Sequence, residues 1–130
     1  LWSEGSEAEH RDEIERFFRG KIDEPQEVIV AVGESGEIIG FVELSVRPYA
    51  EGCRYLGVAY LEGWYVVPEE RGKGIGRNMI KAAEDWGRAK GCSEFASDAY
   101  PDDEASRLAH RAVGFDEVGL IRCFIKKLGS

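Results

Sequence analysis

A mixed α/β (α+β) sheet with flanking helices is the fold class that the sequence predicts, and three observations carry it. An amphipathic helix pattern opens the chain, two alternating apolar runs joined by a short turn follow, and the second half alternates helix and strand patterns. The 130 residues suffice for one domain with a continuous core and are too few for two of ordinary size. Hydrophobic residues make up 43% and charged residues 32%, which excludes a disordered acidic tail and a collagen-like repeat. Charged residues or glycines interrupt every apolar run before the roughly 20 residues that a membrane helix needs, so no membrane partner is expected.

Each element has its own signal. Ser6-Glu-Ala-Glu9 reads as a capping box ahead of Ile14, Phe17 and Phe18, which predicts an amphipathic helix over 6–19. Residues 27–32 and 37–46 read as antiparallel strands joined by the Gly33-Glu-Ser-Gly36 turn. A third strand over 58–67 ends at Pro68. Residues 74–90 then place Ile75, Met79, Ile80, Ala83 and Trp86 at helical spacing, with Gly91 suited to the C-terminal cap. A strand over 94–99 follows, and strand, crossover helix, strand implies a parallel pair with a right-handed connection. Asp102 or Asp103 caps a helix carrying Leu108, Ala109, Ala112 and Val113 that stops at Gly114, and residues 118–127 read as a last strand.

Twenty-five acidic against 17 basic residues give a net charge of −8, a field that repels nucleic acid and favours a cationic small molecule. Cys53, Cys92 and Cys123 are odd in number, widely spaced and without a CxxC, so neither a disulfide framework nor a metal site is expected, and the reducing cytoplasm is the expected compartment. Glu62 and Asp98 lie in expected central strands among apolar neighbours, where a charge is costly unless it is paired or functional; strand-end or solvent-facing acids are the alternative.

The most informative stretch is Glu69-Glu-Arg-Gly-Lys-Gly-Ile-Gly-Arg77. Gly72, Gly74 and Gly76 lie between a strand end and a helix start, with Arg71, Lys73 and Arg77 interleaved. Glycines let the backbone approach an anion closely, the helix start offers unpaired N–H donors, and the cations add attraction, so a pyrophosphate fits; an ordinary glycine-rich turn is the alternative. A Walker loop is excluded because Lys73 is followed by Gly74, and a dinucleotide fingerprint fails because Arg77 stands where a glycine is required.

With Val66-Val67-Pro68 before it, Arg71-Gly-Lys-Gly-Ile-Gly76 resembles the (Q/R)xxGx(G/A) acetyl-CoA loop of the GNAT N-acetyltransferases, and His110-Arg-Ala-Val-Gly-Phe115 resembles that family's helix-to-last-strand motif. Leu1-Trp2, Ser45-Val-Arg-Pro-Tyr-Ala-Glu-Gly52, Tyr60-Leu-Glu-Gly-Trp-Tyr-Val66 and Glu94-Phe-Ala-Ser-Asp-Ala99 are similar to aminoglycoside 6'-N-acetyltransferases. The resemblance implies a GNAT-like, mostly antiparallel central sheet with a splayed parallel strand pair. It also implies a single domain over 1–130 whose N-terminal strand is missing, as expected of a truncated chain.

Further implications concern roles. Trp64, Tyr65 and Val66 would lie beside the pantetheine of acetyl-CoA, with Arg71, Gly72, Lys73, Gly74, Ile75, Gly76 and Arg77 around the pyrophosphate and Asp103 at the cofactor-side helix start. Glu62 and Asp98 would hold the ammonium groups of an aminoglycoside, with Trp2, Tyr49 and Glu51 framing its cleft. A backbone N–H near Val66, exposed where the strand bulges or splays, is placed to stabilise the oxyanion. His110 is the candidate proton donor to the departing thiolate, with simple helix packing as the alternative. The implied protein is a homodimer that confers resistance by direct acetyl transfer. A GNAT enzyme acting on a polyamine or protein amine, and a non-catalytic acyl-CoA-binding module, are the alternatives.

Overall fold

The alternating runs pair as antiparallel strands, and the glycine-bounded helical run crosses over to a parallel one. In the computed structural model, which describes residues 26–129, β1 (Glu27–Val32), β2 (Ile38–Arg47), β3 (Val58–Val66) and β4 (Phe95–Ser97) form one mixed sheet in that order, with α1 (Ile75–Ala89) between β3 and β4. The helix expected over 6–19, and Trp2, lie outside the described residues. The chain divides into two compact units after Asp98, and the sheet and α1 belong to the first.

The β1–β2 hairpin closes where the sequence predicts. The Gly36 N–H donates to the Gly33 carbonyl at 3.0 Å, and Gly36 holds φ +87°, a left-handed conformation cheap only for glycine. β2 and β3 carry most of the core, with Phe41, Val42, Leu44, Val58 and Leu61 at 3% exposure or less. On α1, Met79, Ile80, Ala83 and Gly87 recur at helical spacing and are buried. A Cβ on Gly76 would meet the Trp64 indole at 3.3 Å, and one on Gly87 would come within 2.9 Å of the Ala59 Cβ. The helix therefore runs antiparallel to β3, as the crossover requires. It ends in a Schellman cap: the Cys92 N–H bonds the Gly87 carbonyl at 3.0 Å, the Gly91 N–H bonds the Arg88 carbonyl at 2.9 Å, and Gly91 has φ +85°.

Two irregularities shape β3. Its register against β2 passes from Glu43 opposite Gly63 to Leu44 opposite Leu61, so Glu62 is an extra residue forming a β-bulge. Its parallel pairing with β4 covers only Ala59 to Leu61. Beyond Leu61, β3 continues to Val66 paired with β2 alone among the described residues.

Close packing leaves no room at Gly40, where a Cβ would lie 2.8 Å from the Tyr65 carbonyl oxygen and 3.0 Å from the Met79 methyl carbon. Gly40→Val is expected to destabilise the fold by about 1–3 kcal/mol through this overpacking, read as a lowered urea midpoint at unchanged slope.

The second unit contains α2 (Glu104–Ala112). Asp103 is its N-cap, accepting the Ser106 N–H at 3.0 Å. Its C-terminus is another Schellman cap, with the Phe115 N–H on the His110 carbonyl at 3.0 Å, the Gly114 N–H on the Arg111 carbonyl at 3.1 Å, and Gly114 at φ +102°. The Phe115 ring packs back on His110 with centroids 5.1 Å apart. The strand expected over 118–127 is not formed: residues 115–129 have no regular structure, and Phe124 and Ile125 are more than 90% exposed. A strand is stabilised by its ladder and its cross-strand neighbours, and among the described residues this segment has neither.

Candidate active site

Side chains two apart on a strand share a face, and this rule assembles the acidic cluster. Ser45 and Arg47 of β2 and Tyr60 of β3 point away from α1, because Ser45 is paired with Tyr60 while the neighbouring Ala59 faces the helix. Tyr60 also pairs with Ala96, so Asp98, two residues further on, emerges on the same side. Glu62 joins them at the bulge. Its Oε2 accepts the Ser45 hydroxyl at 2.5 Å and the Arg47 Nε at 2.8 Å, and its Oε1 accepts an Arg47 terminal nitrogen at 2.6 Å. The Arg47 guanidinium carbon lies 3.6 Å from the centre of the Tyr60 ring. Tyr60 donates its hydroxyl to Asp98 Oδ2 at 2.5 Å.

The two carboxylates thus differ in setting. The Glu62 side chain is 5% exposed and ion-paired, whereas Asp98 is exposed and binds the cluster through one oxygen. Hydrogen bonding to Glu62 raises the Arg47 pKa against the opposing effect of burial. Tyr60 is also raised, by burial first and by Asp98 second, so its phenol stays a donor. Sequence reasoning found Glu62 and Asp98 and missed Ser45, Arg47 and Tyr60. The available signal was polar residues two apart on paired strands.

The bulge also changes which main-chain groups face outward. Before it, Ala59 bonds toward β4, its N–H reaching the Glu94 carbonyl at 3.1 Å. After it, Val67 bonds back to β2, its N–H on the Ile39 carbonyl at 2.9 Å, so by alternation the peptide groups of Trp64 and Val66 point to the side that β4 has left. The bulge expected near Val66 therefore lies earlier, at Glu62, while the splay falls alongside Val66. The Val66 carbonyl accepts the Arg71 Nε at 2.7 Å. Trp64 is half-buried against Gly76, and Tyr65 is a core residue whose ring packs 5.9 Å from that of Phe41.

Past β3, a short 3-10 helix (Pro68–Glu70) leads into the glycine loop. Gly72 and Gly74 hold φ +81° and +86°, and an added Cβ at either would meet nothing within 4 Å. Gly74 caps α1, whose ladder begins with the Asn78 N–H on the Gly74 carbonyl at 3.0 Å, leaving the preceding amides of the first turn without an intrahelical acceptor. Lys73 pairs with Glu70 at 3.2 Å in an exposed setting, and Ile75 and Arg77 lie in the first turn. A bent, uncrowded backbone at a helix start, with first-turn amides outside the intrahelical ladder, fits a pyrophosphate.

Tyr49 and Glu51 are exposed in the loop from β2 to β3. That loop is held by a residue sequence reasoning did not single out: Glu94 accepts the Arg54 N–H at 2.9 Å and the Tyr55 N–H at 3.1 Å. In the second unit, the Asp103 carboxylate is engaged as the α2 cap. His110 donates its Nδ1–H to the Ser106 carbonyl at 2.7 Å, an assignment that makes Nε2 a donor only when the ring is an imidazolium. Among the described residues no three His, Cys, Asp or Glu side chains are grouped to hold a metal, and no helix is long and apolar enough to cross a membrane.

A mixed sheet with one splayed parallel pair, a β3 edge that β4 has left and a glycine-bent helix start defines an acetyltransferase of the GNAT class. The acetyltransferase (GNAT) family matches residues 1–115, and the chain belongs to it. Aminoglycoside N(6')-acetyltransferase type 1 of Klebsiella aerogenes is 52% identical over 128 residues, 98% of this chain and 84% of that protein. The apo crystal structure of aminoglycoside antibiotic 6'-N-acetyltransferase AAC(6')-IG from Acinetobacter haemolyticus superposes with a TM-score of 0.79 at 35% identity, covering 99% of this chain and 86% of that one. AAC(6')-Iy in complex with the bisubstrate analogue CoA-S-monomethyl-acetylneamine gives a TM-score of 0.77 at 32% identity over 98% and 85% of the two chains.

Proposed function

We propose that this protein transfers the acetyl group of acetyl-CoA to the 6'-amino group of aminoglycoside antibiotics, by direct attack of the amine on the thioester, and so confers resistance. The observation that carries the reading is the division of β3 at its bulge. On one side lie carboxylates suited to a polycation; on the other lies the main-chain edge that β4 has left, leading into the glycine loop. The 52% identity to an aminoglycoside N(6')-acetyltransferase supports the same substrate class.

In this reading the peptide groups of Trp64 and Val66 align the pantetheine, the Val66 N–H faces the thioester oxygen as charge develops there, and residues 72–77 hold the pyrophosphate. Asp98 binds an acceptor ammonium and takes up a proton directly or through water, while Tyr49 and Glu51 frame the cleft. The resemblance alone supports His110 as proton donor to the departing thiolate and Asp103 as the residue at the cofactor-side helix start. No covalent intermediate is required. Cys53 fits this, because burial, followed by the Glu94 charge, pushes its thiol up and makes it a poor nucleophile at neutral pH. The reaction belongs to the cytoplasm, where acetyl-CoA is supplied, and to a homodimer, as in the resemblance.

The test is acetylation of kanamycin and tobramycin, followed by free-thiol release, with the modified nitrogen located by NMR. Acetylation at the 6' nitrogen is the expected result. Turnover of spermidine or a peptide amine but of neither drug, or coenzyme binding without turnover, would overturn the reading in favour of another GNAT acceptor or of a binding module.

A further inference from the structure

The charges of the acidic cluster do not all face the substrate. Within the hydrogen-bonded cluster, Glu62 and Asp98 carry two negative charges and Arg47 one positive charge; Glu43, two residues before Ser45 on β2, is a further carboxylate of that face and is fully buried. The arginine fork binds both Glu62 oxygens, its plane is stacked on Tyr60, and the Ser45 hydroxyl donates to the same carboxylate. A bidentate, stacked guanidinium is held by geometry as well as charge and does not exchange readily with a hydrated ammonium. Asp98, exposed, accepts one hydrogen bond, from Tyr60 to Oδ2.

We propose that Arg47 is a specificity-determining residue of the acceptor cleft: its hold on Glu62 leaves Asp98 as the carboxylate of the cluster open to a substrate ammonium, so that the cleft takes one ammonium at this point rather than two. The inference rests on the aminoglycoside reading above and deepens it. Arg47 acts through Glu62 and is a positioning residue. A second consequence concerns the pair itself. With Glu62 neutral, Arg47 is left beside Tyr60 and Asp98, whose charge it already feels, and becomes an internal competitor for the substrate's site.

The test compares kanamycin A with kanamycin B, which differ in a hydroxyl or an amine at carbon 2', each assayed with acetyl-CoA by thiol release. For the unaltered chain the two kcat/KM values are expected within about threefold of each other. In Arg47→Met the Glu62 carboxylate has lost its cation and recruits the second ammonium, so the ratio of kanamycin B to A rises about tenfold or more, while Arg47→Lys, which keeps a cation without the stacked fork, brings the ratio part of the way back. Glu62→Gln is expected to raise KM for both drugs about tenfold with kcat within about threefold, and adding Arg47→Met to it to bring KM back. A merely structural role predicts the opposite for that double variant, a further loss.

Equal losses for both drugs in Arg47→Met, or a double variant no better than Glu62→Gln alone, overturn the inference and leave the aminoglycoside reading standing. No thiol release by the unaltered chain with either drug overturns that reading and this inference with it. Should Arg47→Met fail to fold, the comparison of Glu62→Gln with Arg47→Lys/Glu62→Gln decides: KM that stays raised while the lysine cation persists supports the competitor role, and full recovery overturns it.

Discussion

Gly74→Val is expected to weaken acetyl-CoA binding by about one to two orders of magnitude while leaving the sheet folded. Left-handed backbone costs an L-residue roughly 1–2 kcal/mol, more for a β-branched one, and Gly74 holds φ +86° at the start of α1. An added side chain there meets nothing within 4 Å, so the strain is relieved by rotating the loop rather than by disturbing the core. That rotation swings the amides of Lys73 to Gly76 away from the position they share. Calorimetry with coenzyme A reads the loss, and circular dichroism with thermal melting reads the fold. Gly36→Val is the control, since it imposes the same strain at φ +87° in the remote β1–β2 turn and is expected to leave coenzyme affinity unchanged. Equal affinity in Gly74→Val would remove the loop from the coenzyme site.

Asp98→Asn is expected to raise the aminoglycoside KM by about 10- to 100-fold, with coenzyme affinity within about threefold of the unaltered chain. An ammonium on a carboxylate is a charge-assisted hydrogen bond worth about 1.5–3 kcal/mol, and the exposure of Asp98 places the effect toward the lower end. The amide keeps the Tyr60 bond, so the change removes charge more than shape. Steady-state kinetics at two ionic strengths provides the check. The KM of the unaltered chain should rise with salt and that of Asp98→Asn should depend on it much less. An unchanged KM would take Asp98 out of acceptor binding.

What could be read in the sequence was local. Alternation placed β1 and β2, helical spacing placed α1, and Gly36, Gly91 and Gly114 marked the turns and caps where the structure has positive φ. The α2 cap was legible as Asp102 or Asp103 because capping acts over three residues, and the structure has Asp103. The glycine loop was legible for the same reason. The rest depended on pairing at a distance. The bulge at Glu62 exists only relative to β2, and no pattern within β3 reveals one extra residue. Arg47 and Glu62 are fifteen positions apart, and Tyr60 and Asp98 thirty-eight, so each contact follows from register. Two carboxylates that looked equivalent along the chain therefore proved different once their partners were known. Residues 118–127 failed in the opposite sense, because local β-propensity promised a strand where no ladder forms among the described residues.

The bulge has an evolutionary corollary. In the proposed reading, the acceptor meets side chains of β2 and β3 up to Glu62, which point mutation rewrites one at a time, and the acyl donor meets peptide groups of β3 beyond it, which nearly any residue supplies equally well. On that reading, drift in antibiotic spectrum accumulates at Ser45 and Arg47 of β2 and Tyr60 of β3 while the grip on the acyl donor is inherited intact, giving a strand pair that is plastic at one end and conservative at the other.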